Sequence, residues 1–177
     1  GGAGEQVIGD GQDAVAHGMQ REITAFPPIF LRVWRSQVGH NAPVIRPKVS
    51  TNFDFEGELA LVIGKAGRHI KREDALGYIA GYTCFCDATV RDFTKYSLAA
   101  SKNFVGSGPL GPWIVTADEI PDPTKLTLVT RLNGAEMSRT GTDMLIHDIP
   151  AIISFCSMFT PLAPGDTAIV IGTATGA

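Results

Sequence analysis

The sequence predicts a single β-rich α+β domain, and three observations carry that prediction. Apolar runs of strand length recur along the 177 residues, at Leu59–Ile63, Tyr78–Cys86, Trp113–Thr116, Leu126–Leu132 and Thr167–Ile171. Asn133-Gly134, between two of the extended runs, is a strong two-residue hairpin signal. Helical signals are fewer, and no internal repeat suggests a solenoid or a propeller.

The elements follow in chain order. Gly1 to Gly18 is glycine-rich and reads as loop or frayed terminus, with a short helical turn from Ala14 to Ile23. Residues 1–26 are therefore expected to form a separate N-terminal segment or lid, and 27–177 the main domain. After Pro27-Pro28, Ile29 to Trp34 is a strand candidate, and Ser36 to Asn41 is a loop carrying His40. Gly64 to Lys71 reads as a turn whose Arg68, His69 and Lys71, with Arg72 beside it, are solvated. Glu73 to Leu76 starts a short helix, and Thr89 to Ala100 is expected to be helical. Pro109 to Pro112 should force irregular backbone. Asp118 to Pro123 is a turn cluster, and Glu136 to Ser138 returns from the hairpin. Asp148, followed by Ile149-Pro150, has the pattern of an N-cap with proline in the first turn. Ile152, Ile153, Phe155, Cys156 and Phe159 give that helix its apolar content.

Composition excludes several classes of function. A net charge of −3 leaves no basic footprint, which argues against nucleic acid as a partner. No apolar run approaches the length of a membrane span, and no secretory signal is visible. Three cysteines do not make a disulfide framework, so a reducing, cytoplasmic setting is expected. Cys84 and Cys86 share one face of a strand and are expected to be small core residues.

The chemistry concentrates in Asp54-Phe-Glu-Gly-Glu-Leu-Ala-Leu-Val-Ile-Gly64. Alternation along a strand points Glu56 and Glu58 the same way. Two like charges so close drive each other toward protonation unless a cation lies between them, and oxygen-only clusters suit hard divalent ions. Two solvated acids at a strand end are the plainer alternative. A second strand-like run ends in Asp87, which would complete a three-carboxylate site if the strand ends converge.

At this point the chain resembles the fumarylacetoacetate hydrolase superfamily. Asp54 to Lys65 is similar to that family's Asp-Tyr/Phe-Glu-x-Glu-Leu-Ala-x-Val-Ile-Gly-Lys run. Gly81 to Asp92 is similar to its Gly-Tyr…Asp…Arg-Asp block. Lys102 to Trp113 is similar to its Lys-Ser-Phe element and Pro-Leu-Gly-Pro-Trp, with Asn103 where serine is usual. Asn133-Gly134, Asp143-Met144, Pro164-Gly165-Asp166 and Gly172-Thr173 follow in the family's order.

The resemblance implies a mixed β-sandwich roll and a site for Mg²⁺, with Mn²⁺ or Ca²⁺ as substitutes, held by Glu56, Glu58 and Asp87. It implies that Lys102, Arg91 and Thr173 bind an anionic substrate. The substrate class is a small 2-oxo or 1,3-diketo acid of the acylpyruvate type, cleaved hydrolytically at a C–C bond. A homodimer, through Pro109 to Trp113 and the helix from Pro150, is also implied. Hydrolytic members carry a water-activating His with a Glu three residues later. Here His17 is followed by Gln20 at that spacing, so the pair is complete if Glu22 takes the glutamate's place. Without a working base, the same site would decarboxylate, tautomerise or hydrate a 2-oxo acid. A non-catalytic metal-binding paralogue and a sheet-mediated interaction module are the alternatives from other classes.

Overall fold

The structure, a computed structural model, describes residues 6–9, 25–165 and 168–172. Among these, eleven strands carry the fold: β1 (Gln6–Gly9), β2 (Ile29–Arg32), β3 (Gln37–Gly39), β4 (Phe53–Asp54), β5 (Gly57–Ile63), β6 (Ile79–Cys86), β7 (Thr89–Val90), β8 (Gly108–Thr116), β9 (Thr127–Leu132), β10 (Ala135–Gly141) and β11 (Ala168–Gly172). Two α-helices join them, α1 (Leu98–Lys102) and α2 (Ile149–Phe159).

Seven strands form one mixed sheet in the order β2-β1-β11-β5-β6-β8-β3. The β1–β11 and β3–β8 pairs are parallel and the rest antiparallel. The predicted β-rich α+β class and the mixed roll are both borne out. At the sheet's centre, β5 and β6 alternate as a two-faced strand pair should. Leu59, Leu61, Ile63 and Tyr82 point to one face, where α2 covers them with Ile149, Ile152, Ile153 and Cys156. Burying each such isoleucine contributes about 1.5–3 kcal/mol. The opposite face buries Ala60 and Phe85 against Phe30 of β2.

Helix α2 begins where the sequence placed it. The Asp148 carboxylate accepts a hydrogen bond from Ala151 N at 2.8 Å, and Pro150 occupies the first turn, where no N–H is needed. Asn133 and Gly134 take φ values of 51° and 85°, the paired left-handed geometry of a tight hairpin joining β9 to β10.

Four local expectations need correction. Thr89 to Ala100 is not one helix: Thr89 and Val90 pair with Asp54 and Phe53, Arg91–Phe93 is a single 3₁₀ turn, and α1 starts only after Ser97. Ser97 Oγ accepts from Ala100 N at 2.9 Å, so the cap overrides the apolar spacing upstream. Residues 109–112 do carry irregular backbone, with a cis Gly111–Pro112 bond, φ 131° at Gly111 and a register shift opposite Tyr82–Cys84, but they lie inside β8, which therefore begins at Gly108 and not at Trp113. Ser36 to Asn41 is not wholly loop, because Gln37–Gly39 pairs in parallel with Gly108–Leu110. Gly1 to Gly18 likewise contains strand β1, whose backbone pairs with both β2 and β11.

Candidate metal centre

The ends of β5 and β6 bring the three predicted carboxylates together. Asp87 N donates to Glu56 O at 2.8 Å, which continues the β5–β6 pairing one step past the strands and sets both side chains at the sheet's end. Glu56, Glu58 and Asp87 each offer an oxygen such that all three atoms lie within 4.8 Å of one another. The residues are 1 %, 2 % and 0 % exposed. Three buried carboxylates cannot stand so close without positive charge.

Cationic side chains supply part of that charge. Lys102, the last residue of α1 and 1 % exposed, contacts Glu56 Oε2 and lies 2.7 Å from Asp87 Oδ2. Arg91 donates Nε to Asp54 Oδ2 at 2.8 Å and places Nη2 2.5 Å from Glu56 Oε1. The carboxylate that Arg91 orients is therefore Glu56, while Asp92 turns the other way and accepts from Ser50 Oγ at 2.6 Å. Burial pushes the Asp87 carboxyl up from the ordinary carboxylate range, with the Lys102 ammonium and Arg32 guanidinium acting against it. For Lys102, burial lowers the pKa but Asp87, Glu56 and Glu58 outweigh it, and the net shift is upward. The three carboxylates thus favour the charged form of Lys102, which suits it to bind an anionic oxygen.

The donor set fits a hard divalent cation. It is all oxygen, it is buried, and Lys102 already occupies a position where the fold demands positive charge. Glu56, Glu58 and Asp87 are the residues that would hold the ion.

A cleft of about 590 Å³ borders Asp54 and Glu58. A side chain at Gly57 would run into Thr130 of β9, so the Gly57, Cys84 and Cys86 face looks toward the hairpin, and Glu58 and Phe85 border the cleft as well. The two cysteines do share a face, as expected, but that face is the wall of the cleft and not core. Cys84 is exposed and Cys86 half-buried. His40 also lines the cleft, over Gly111. His69 is exposed with φ 54°, and His147 sits half-buried just before α2. His17, Glu22 and Thr173 lie outside the described residues.

Sequence reasoning missed Arg32. It is 0 % exposed, and its guanidinium donates to Asp87 Oδ1 from Nη1 and to Ser107 Oγ from Nη2 at 2.6 Å. A lone arginine in the run Ile29 to Trp34 carries no sign of its partner, 55 residues on. Asn103, noted only as a departure from serine, turns out to bind β2. Its Nδ2 donates to Leu31 O at 2.8 Å and its Oδ1 accepts from Val33 N at 2.6 Å.

Several known proteins are similar to this chain. The family model described as fumarylacetoacetate (FAA) hydrolase C-terminal matches residues 6–177. A mitochondrial oxaloacetate tautomerase of Xenopus laevis is 35% identical over 178 residues, 97% of this chain and 56% of that protein. Among solved structures, 2-hydroxyhepta-2,4-diene-1,7-dioate isomerase from Mycobacterium marinum superposes with a TM-score of 0.85 at 34% identity, covering 98% of this chain and 65% of that one. Maleylpyruvate hydrolase from Sphingobium sp. SYK-6, in complex with manganese(II) and pyruvate, superposes at 0.79 with 31% identity, covering 97% of this chain and 59% of that one. An uncharacterized protein of Archaeoglobus fulgidus is 39% identical over 152 residues. The chain spans 56% and 59% of the length of these two curated relatives.

Proposed function

Because this chain belongs to the fumarylacetoacetate hydrolase C-terminal family, we propose that it is the catalytic domain of a divalent-metal-dependent enzyme acting on a small 2-oxo acid. The reaction best supported is keto–enol interconversion of an oxaloacetate-like acid. The observation that carries this reading is the buried trio Glu56, Glu58 and Asp87 with Lys102 set against two of its members. A divalent ion held there would supply Lewis-acid polarisation of the substrate's 2-oxo oxygen.

The chain's own residues divide the remaining work. Lys102, set against Glu56 and Asp87, binds an anionic oxygen of the substrate and favours the form in which negative charge has moved onto oxygen. Arg91 holds Glu56 in place through its bridge to Asp54. The burial of Glu56, Glu58, Asp87 and Lys102 strengthens each charge interaction among them. The Xenopus laevis relative, an oxaloacetate tautomerase, supports the substrate class.

Hydrolysis of a C–C bond in an acylpyruvate is the second reading. The manganese(II)- and pyruvate-bound maleylpyruvate hydrolase favours it. It requires a base that activates water. His17 with Glu22 is the pair to which we assign that role.

The test is a substrate pair assayed with Mn²⁺ and with EDTA. Enol-to-keto conversion of oxaloacetate is followed by ultraviolet absorbance, and acylpyruvate cleavage by pyruvate release. Metal-dependent acceleration of the first, lost in Asp87→Ala, is expected. Acceleration of the second, lost in His17→Ala, would establish the hydrolytic reading in its place. Acceleration of neither would overturn both.

A further inference from the structure

We propose that Arg32 is the positioning residue of the carboxylate cluster, holding Asp87 in the orientation in which it serves as a metal ligand; this rests on the metal reading above. Asp87 has two oxygens and two cationic neighbours. Arg32 Nη1 takes Oδ1, while Oδ2 lies 2.7 Å from Lys102 Nζ. The Asp87 side chain rotates about two bonds, and the guanidinium's contact with Oδ1 fixes that rotation.

The seat for this guanidinium is built from several elements. Ser107 Oγ accepts from Arg32 Nη2 at 2.6 Å and lies 2.7 Å from Phe104 O and 3.1 Å from Lys102 O, so Arg32 and Lys102 are held from one point. The Phe85 ring lies 5.2 Å from the guanidinium carbon. At Gly108 a Cβ would stand 2.7 Å from Arg32 Nη2 and 2.9 Å from Phe85 Cζ, so glycine is what leaves the slot open. Asn103 pins β2 at Leu31 and Val33, the two residues that flank Arg32. A strand that is three places from β5 in the sheet is thus tied directly to the residue following Lys102.

Charge and positioning make opposite predictions, which is what makes the inference testable. If Arg32 were merely a positive neighbour, removing it would raise the affinity of the cluster for a cation. If it positions Asp87, removing it lowers that affinity, in the range of about 10- to 100-fold typical of groups that orient metal ligands. Mn²⁺ is titrated into the metal-free full chain, and free ion is read by its electron paramagnetic resonance signal. Arg32→Met is expected to bind Mn²⁺ at least tenfold more weakly than wild type. Ser107→Ala, which leaves every charge in place, is expected to weaken binding severalfold. Should Arg32→Met fail to fold, Arg32→Lys carries the test. It keeps the charge but offers a single ammonium where two fork-shaped contacts are made, and weaker binding is expected again. Unchanged or tighter binding in the folded variants overturns the inference while the metal reading stands. No Mn²⁺ uptake by wild type overturns the metal reading and this inference with it.

Discussion

Replacing Lys102 by methionine removes one charge from a group of buried ones while keeping most of the side chain's length and apolar stem. The ammonium touches Glu56 and lies 2.7 Å from Asp87 Oδ2 in a site 1 % exposed. At an effective dielectric constant of about 20, one such contact is worth roughly 6 kcal/mol of Coulomb energy before the ammonium's own desolvation offsets it. Breaking a buried pair by deleting one partner has a net cost of about 3–5 kcal/mol, because the remaining carboxylates stay buried. For a domain of this size that lowers the melting temperature by about 6–20 °C. The assay is thermal and urea unfolding of both proteins in EDTA, repeated with Mn²⁺. The variant should be markedly less stable in EDTA. It should gain more than wild type from the ion, which replaces the lost charge and no longer competes with an ammonium for the same oxygens. A variant that melts within a degree or two of wild type in EDTA would refute the claim that Lys102 neutralises the cluster.

Three further predictions concern the frame around the site. Asp148→Ala removes the cap of α2 and should destabilise the protein by about 0.5–2 kcal/mol; the exposed contact with Arg72 adds little, and urea unfolding unchanged from wild type would contradict it. The Cys156 thiol is pushed up to about 12 by burial, so between pH 9 and 12 the unfolded chain loses a proton that the folded one keeps. Stability is therefore complete below pH 9 and falls above it by about 1.4 kcal/mol per pH unit; Cys156→Ala should flatten the pH 9.5–10.5 decline by that slope, and parallel curves would count against the burial argument. Gly57→Ala places a methyl group against Thr130 Oγ1. It should destabilise the wild type more than it does a Thr130→Ala background, a coupling of about 0.5–3 kcal/mol in a double-mutant cycle; strict additivity would mean that β9 does not press on Gly57.

What could be read from the sequence was what depends on near neighbours. Glu56 and Glu58 are two residues apart on a strand, so period alone sets them side by side, and Asp87 follows from the next strand's end. Asn133-Gly134 and Asp148 announce a turn and a cap because their chemistry is local. Arg32 was illegible because its meaning depends on Asp87, Ser107 and a missing side chain at Gly108, none of them near it in sequence. The direction of Cys84 was lost for a related reason. Alternation gives which residues share a face, but whether that face meets α2 or an open cleft depends on where the β9–β10 hairpin lies. The supposed helix from Thr89 failed because Thr89 and Val90 were claimed by pairing with Phe53 and Asp54, residues more than thirty positions earlier.

The strand order has a consequence for biosynthesis. Strands β1 and β11 lie side by side in the middle of the main sheet, with β11 in turn on β5. Strand β2, which carries Arg32, joins β5 in the sheet only through those two. A nascent chain that has emerged as far as α2 already contains every acid of the cluster and Lys102, yet the sheet between β2 and β5 has no middle. That gap closes only when residues 168–172 leave the ribosome and find a partner synthesised some 160 residues earlier. Until then the β5 edge is an unpaired row of backbone donors and acceptors, open to a neighbouring chain. Residues 168–172 thus decide whether the sheet completes itself or pairs with a stranger.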